Sequence, residues 1–277
     1  MNPSLVLQLE SSQLPSGCFP SNVTRINGKS LDYNGFTAAI VLRTLRRQSR
    51  LPLLRSLTTR ALDYLESCRS PHIASAFAFW PEGARPPWAA RVPADLDDTT
   101  LMTTELLRAE RIEPRQAIAV ACRVLLAHRV CSTDSLPSWI QSGAFLTWIA
   151  PRRAINVVDC CVNANVLGLL ALLDARHLPG YEAAISTIRD GLTWAGSSMV
   201  RLRTLSPFYP SPHDLCEALA HAVECGVREL RDCHAELQSC VGARDPCTDA
   251  GCCSSAYGDV VWHCRGITIA RALVSGL

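Results

Sequence analysis

Positive charge of one kind is almost missing from this chain. Lys29 is its only lysine, and arginine carries all other basic charge. With so much alanine and leucine, this usage reads as the codon bias of a GC-rich bacterial genome. Charged residues make up only 19% of the chain and the net charge is +2, with no clustered basic excess. That excludes a nucleic-acid footprint, which needs concentrated Lys and Arg. No apolar run of about 18 residues occurs, so no membrane span is expected. The opening MNPSLVLQLESSQ has neither a basic n-region nor a continuous apolar stretch, so it does not read as a secretory signal. A cytoplasmic location follows as the expectation. Its fourteen cysteines are then expected to be reduced thiols. Several of them (Cys122, Cys216, Cys225) fall on apolar helical faces, where a thiol acts as a small hydrophobe. The group Cys233, His234, Cys240, Cys247, Cys252 and Cys253 lacks paired C-x-x-C spacing, which argues against a zinc cluster.

Hydrophobic residues are abundant, at 48%. Over much of the chain they recur with helical period. Phe36, Ile40, Val41 and Leu45 share one face, and Pro52 opens a second helix carrying Leu54, Leu57, Ala61 and Leu65. Further pairs are expected from Asp98 to Ala109 and Pro114 to His128, then from Cys160 to Leu173 and Gly180 to Leu192. Ser211-Pro212 supplies a serine cap with proline at the first helical position, and that helix's partner runs to about Cys240. A last helix is expected from Tyr257 to Val274. The pairs begin near positions 36, 98, 160, 211 and 258, a spacing of roughly 50 to 60 residues that suggests an internal repeat. Before three of them stand aromatic, turn-rich connectors: FAFWPEGARPPW, SGAFLTWIAPRR and TLSPFYPSP. The first helix of each pair is the more apolar one. An all-α fold is therefore expected, a closed (α/α) barrel of repeated helical hairpins over residues 1–277, with Ile40, Met102, Leu167 and Leu219 buried. An open solenoid is the alternative. Strand content is expected to be minimal, limited to the FAF and AFL stretches, and 241–257 reads as a surface loop.

The most informative segment is VPADLDDTTLMTTELLRAERI. Asp95, Asp97 and Asp98 crowd the entry to an inner helix. Like charges in a dry site repel, so at least one carboxyl keeps its proton. Such an acid, walled by apolar and aromatic groups, is equipped to protonate an alkene or epoxide. A plainer reading is also open: Asp97 or Asp98 caps the helix and Asp95 is solvated.

Asp95-x-Asp97-Asp98, followed by Thr99, resembles the DxDD motif of class II terpene cyclases, including squalene-hopene cyclases and bacterial class II diterpene cyclases. The GAF-x-x-W element ending in Phe145 and Trp148 also resembles the repeats of those barrels. The resemblance implies that Asp97 is the general acid, that Asp95 and Asp98 orient it, and that the substrate is an isoprenoid or its diphosphate. Those enzymes usually have two helical barrels with the cavity between them. This chain has room for one, so a second copy in a homodimer would have to close the cavity unless a single barrel encloses it. No cofactor is implied, apart from Mg²⁺ if the substrate is a diphosphate. Trp80, Trp88, Phe145 and Trp148 are the candidate walls for a carbocation. Arg152 and Arg153, with Arg201 and Arg203 in the next connector, are candidates to hold a diphosphate, against a solvated surface role.

A second polar group opens the apolar stretch NVVDCCVNANVLGLLALL. Asp159 and Asn163 lie four apart on one helical face, with Asn165 nearby. They read either as partners of the acid or as a cap and satisfied buried amides. Asp159, Cys161 and His263 also resemble the zinc ligands of protein prenyltransferases, which makes zinc-dependent prenyl transfer a rival function. A third reading is a non-enzymatic helical-repeat barrel that binds a partner or a hydrophobic ligand.

Overall fold

Several helix starts follow from capping groups that the sequence supplies. The computed structural model describes residues 2–46, 52–90, 92–150, 156–245, 251–256 and 258–276. Helix α1 (Pro3–Ser12) is followed by strands β1 (Ser21–Arg25) and β2 (Gly28–Asp32), then α2 (Gly35–Leu45) and α3 (Pro52–Ser67). The chain continues through α4 (Leu96–Arg108), α5 (Pro114–Arg123), α6 (Cys160–Leu172), α7 (Tyr181–Ala195) and the short α8 (Met199–Thr204). It ends with α9 (Pro212–Glu224), α10 (Arg231–Val241), β3 (Cys253–Ser254), β4 (Val260–His263) and α11 (Arg265–Ser275). Asn34 caps α2 by accepting the Thr37 N–H at 3.0 Å. Asp95 caps α4, Asp159 caps α6, and a Ser211–Asp214 capping box opens α9. Gly180 precedes α7 with φ +103°, and a Cβ there would lie 2.8 Å from the Phe145 ring, so the turn needs glycine twice over.

Five helices lie side by side in the order α11, α2, α4, α6, α9, and each carries an outer neighbour: α1, α3, α5, α7 and α10 respectively. Helix α6 is buried on every side through Ala171, as its unbroken apolar sequence requires. Arg271 of α11 joins the two ends of the row by pairing with Asp214 and Glu217 of α9, and Arg244 pairs with the same two carboxylates. Ile40, Met102, Leu167 and Leu219 all lie in the core. No helix among the described residues is long and apolar enough to cross a membrane.

The all-α barrel is overturned by a four-stranded antiparallel sheet of order β2-β1-β4-β3, which makes the fold mixed α/β. Strands β1 and β2 form a hairpin around Ile26-Asn27, while β4 pairs with β1 so that Val23 faces Trp262. The segment read as the first turns of the last helix is therefore strand β4, and the helix begins at Arg265. Val260, Val261 and Trp262 favour a pleated surface, and four residues are too few to display either period. The expected 241–257 surface loop is corrected in part as well: β3 falls within it, and Cys252, Cys253 and Ser254 are buried. The FAF and AFL stretches make only single bridges, Arg69 to Phe77 and Arg129 to Phe145.

The ion cluster that joins α9 to α11 makes a prediction. Asp214→Ala leaves two largely buried guanidinium groups short of a partner and removes half of a capping box. It should cost about 3–5 kcal/mol in urea unfolding. A loss below about 1 kcal/mol, the level of a surface ion pair, would show that the cluster does not hold the two helices together.

Candidate active site

The entry to α4 is tied down by backbone bonds before any carboxylate is considered. Leu96 N–H donates to the Thr147 carbonyl at 2.8 Å, and Ile149 N–H donates to Ala94 at 2.9 Å. These bonds set Asp95 opposite Trp148 of the second aromatic connector. Asp95 turns its side chain back onto the helix, and its Oδ1 accepts the Asp98 N–H at 2.7 Å. Asp95 is thus the cap, and it is buried rather than solvated. Asp97 and Asp98 follow in the first turn, where the positive end of the helix dipole favours negative charge.

All three carboxyls face a cavity of about 260 Å³. Eight aromatic side chains wall it: Phe36 from α2; Phe79, Trp80 and Trp88 from the first connector; Trp148 from the second; Phe208 and Tyr209 from the third; and Trp262 from β4. Adjacent rings pack edge to face, with centroids 4.6 Å apart for Phe79–Trp80, 5.6 Å for Phe79–Trp262 and 4.9 Å for Trp148–Phe208. None of the described residues lining the cavity is Lys, Arg or His.

The three acids are not equivalent. Asp97 is held by the Tyr209 hydroxyl, which donates a short bond to Oδ2, and by Asn165 Nδ2, which donates to Oδ1 at 2.7 Å. Arg43 in turn donates to Asn165 Oδ1 at 3.4 Å. Burial raises the pKa of Asp97, while the Tyr209 and Asn165 bonds and the Arg43 charge act against that rise. Asp98 is 1% exposed, and among the described residues no N–H or O–H donor reaches its carboxyl, whose hydrogen-bonding neighbour is the Asp95 carboxyl. Burial, then the charges of Asp95 and Asp97, push it well above the usual carboxylate range. Asp95 is raised to about 7, chiefly by burial and next by Asp97, with the N–H of Asp98 opposing. The cluster therefore favours holding protons over full ionisation, since burial acts against the charged form of every member.

The second polar group behaves differently. Asp159 caps α6, accepting N–H bonds from Cys161 at 2.7 Å and Val162 at 3.3 Å. Burial, then the charge of Asp97, raises it to about 7. Asn163 spends its whole amide on backbone: Oδ1 accepts the Phe145 N–H at 2.9 Å, and Nδ2 donates to Phe145 and Asp159 carbonyls. Neither residue lines the cavity, and Phe145 is a core residue behind it. Trp80, Trp88 and Trp148 do line it. Arg152 and Arg153 lie outside the described residues. Arg201 and Arg203 are solvent-facing on α8. No group of three or more His, Cys, Asp or Glu side chains among the described residues is arranged to hold a metal ion, so Asp159, Cys161 and His263 are not brought together as a zinc site.

Tyr209 was within reach of the sequence, since its connector is one of the three aromatic ones. Asn165 was noted only as a neighbour of Asn163, yet it is the asparagine that reaches the acid. Trp262 was hidden inside the expected last helix.

The chain matches no protein-family model and no curated protein. Among solved structures, a crystal structure of a protein from Actinoplanes is similar over 98% of this chain and 97% of its own, with a TM-score of 0.45 and 14% identity. A likeness that distant has no bearing on the reaction.

Raised carboxyl pKa values link the site to stability. The unfolded aspartates titrate near ~3.9, so above that pH the native chain holds protons that the unfolded chain has released. Their contribution is complete below that value and falls as pH rises, for Asp95 through about 7. Asp98→Asn keeps the shape and removes one such group. Its melting temperature should gain on the wild type as pH goes from 5 to 8. Parallel melting curves for the two proteins across that range would contradict the buried, protonated state of Asp98.

Proposed function

We propose that this chain is an enzyme of the class II terpene-cyclase type, which starts cyclisation of an isoprenoid by protonating it. The observation that carries the reading is Asp97: a buried carboxyl, held by two neutral donors, at the floor of a cavity walled by eight aromatic rings. Burial favours the protonated form of Asp97 while the cavity is empty. Once the proton leaves, the Tyr209 and Asn165 bonds stabilise the carboxylate, so the same site makes the acid strong at the moment of transfer.

In the first step the Asp97 proton adds to the less substituted carbon of a trisubstituted double bond, or to an epoxide oxygen whose bond to the more substituted carbon then breaks. The adjacent carbon becomes cationic, and the next double bond attacks it to close a ring. Phe36, Phe79, Trp80, Trp88, Trp148 and Trp262 present π-faces that tolerate the cation and exclude water. Loss of a proton from carbon to a carboxylate of the floor, or to a water, ends the sequence and restores the proton balance. Asp98 stays neutral through the cycle and keeps the floor from carrying three charges. No cationic side chain lies among the described lining residues, which favours a neutral isoprenoid over a diphosphate inside the cavity. The free thiols throughout the described chain fit a cytoplasmic setting.

Zinc-dependent prenyl transfer finds no support, because its three ligands are not gathered. A passive apolar receptor would have no use for three buried carboxyls, each of which is costly to bury.

The test is incubation with a panel of linear isoprenoids, their epoxides and their diphosphates, run in H₂O and in D₂O. A cyclised product should appear, carrying one carbon-bound deuterium from D₂O where an alkene is protonated and none where an epoxide oxygen is. Asp97→Asn should lower turnover by about a thousandfold or more with the fold intact. Tyr209→Phe should lower it by about ten- to a hundredfold. An alkene-derived product free of solvent deuterium, or full turnover in Asp97→Asn, would rule out Asp97 as the initiating acid. No product from any member of the panel would count against the cyclase reading itself.

A further inference from the structure

A further buried carboxylate is hydrogen-bonded to two tryptophans of the cavity wall. Asp32, the last residue of β2, is 3% exposed. Its Oδ1 accepts the Trp80 indole N–H at 2.7 Å, and its Oδ2 accepts the Trp262 indole N–H at 2.8 Å and the Asn34 amide at 2.9 Å. All three partners are donors, which suits an acceptor-only carboxylate. Trp80 and Trp262 line the cavity and Asp32 does not. The electropositive N–H edge of each indole is therefore directed at Asp32, away from the occupant.

This geometry has an electrostatic consequence. A hydrogen bond to an anion polarises the donor, pushing indole electron density toward the ring and enriching the π-face that attracts cations. An opposing effect is present at Trp80, where the Arg85 guanidinium lies 5.7 Å from the ring centroid. Arg25 similarly lies 4.8 Å from Trp88. Trp262 has no such guanidinium over it among the described residues, so the influence of Asp32 is least opposed there.

We propose that Asp32 is a positioning residue that fixes the Trp80 and Trp262 indoles and turns the cavity wall into a receptor for lipophilic organic cations. The natural occupant of that class is the carbocation of the proposed reaction, and a quaternary ammonium ion is its stable counterpart. The inference rests on the cavity being the reaction site, but its test needs no turnover.

The competing role for Asp32 is structural: it joins β2 to β4 and to the first connector. The two roles separate in a binding experiment with phenyltrimethylammonium and its neutral isostere tert-butylbenzene, measured by calorimetry on the wild type, Asp32→Asn and Trp262→Phe. The wild type should prefer the cation by about tenfold or more. Asp32→Asn should lose about tenfold of that preference while holding the neutral isostere to within about twofold, as little apolar area changes. Trp262→Phe keeps a ring, removes one N–H bond to Asp32, and should lose part of the preference. If Asp32→Asn does not fold, Trp262→Phe and Trp80→Phe carry the same comparison in the same direction. The aspartates of the floor attract cations equally in every variant, so they cancel in the comparison. No cation preference in the wild type, or parallel loss of both ligands in the variants, would overturn the proposal. Retained cation preference in a protein that yields no cyclised product would instead dismiss the reaction and leave the receptor.

Discussion

Burying three carboxyls in one helical turn is the constraint around which this molecule is arranged. Asp95, Asp97 and Asp98 are all buried, so ionising all three at once is costly. The conflict is resolved by giving each acid a different environment. Asp95 receives a backbone N–H and serves as the cap. Asp97 receives a hydroxyl and an amide. Asp98 has no donor beyond the Asp95 carboxyl, and burial pushes its pKa up. Three like residues in four positions thus acquire three roles. The differences come from Tyr209, Asn165 and the helix backbone, not from the aspartates themselves.

The wall depends on parts of the chain that are distant in sequence. The three aromatic connectors supply six of the eight rings, α2 supplies Phe36, and the eighth ring, Trp262, arrives on β4. Strand β4 is held by β1, so the N-terminal hairpin carries part of the site without lining it. Asp32 extends that link: one carboxylate at the end of β2 ties together Trp80 from the middle of the chain and Trp262 from its end. The sheet is accordingly more than an appendage to the helical layer. It supplies Cys253, Ser254, Val260 and Trp262 to the cavity lining.

Sequence patterning was most legible where a physical period or cap is strong. The starts of α2, α4, α6 and α9 lie within about two residues of the expected positions, a normal margin for frayed ends, because asparagine, aspartate, serine and proline mark them. The hairpin was missed although Asn27-Gly28, flanked by Val23, Thr24 and Lys29, is a short-range strand-turn-strand signal. Its five-residue strands are too short to stand out beside the strong helical periodicity elsewhere. Asn163 and Asn165 illustrate the limit at the site. They lie two apart on one helix, so they face different directions, and nothing local states which faces the acid. Asn163 satisfies the AFL connector and Asn165 reaches Asp97.

Local chemistry alone determined the helices, their caps, the acidic turn at Asp95 to Asp98 and the aromatic character of the connectors. Each of these depends on residues within a turn or two of one another. Tertiary structure decided the rest: that a sheet joins the chain's two ends, that Tyr209 and Asn165 meet Asp97, that Phe145 and Asn163 sit behind the cavity, and that Asp32 stands behind two of its tryptophans. Strand pairing and buried hydrogen bonds between distant segments depend on which surfaces meet when the helices pack. The acid's environment is a product of that packing, which no run of neighbouring residues encodes by itself.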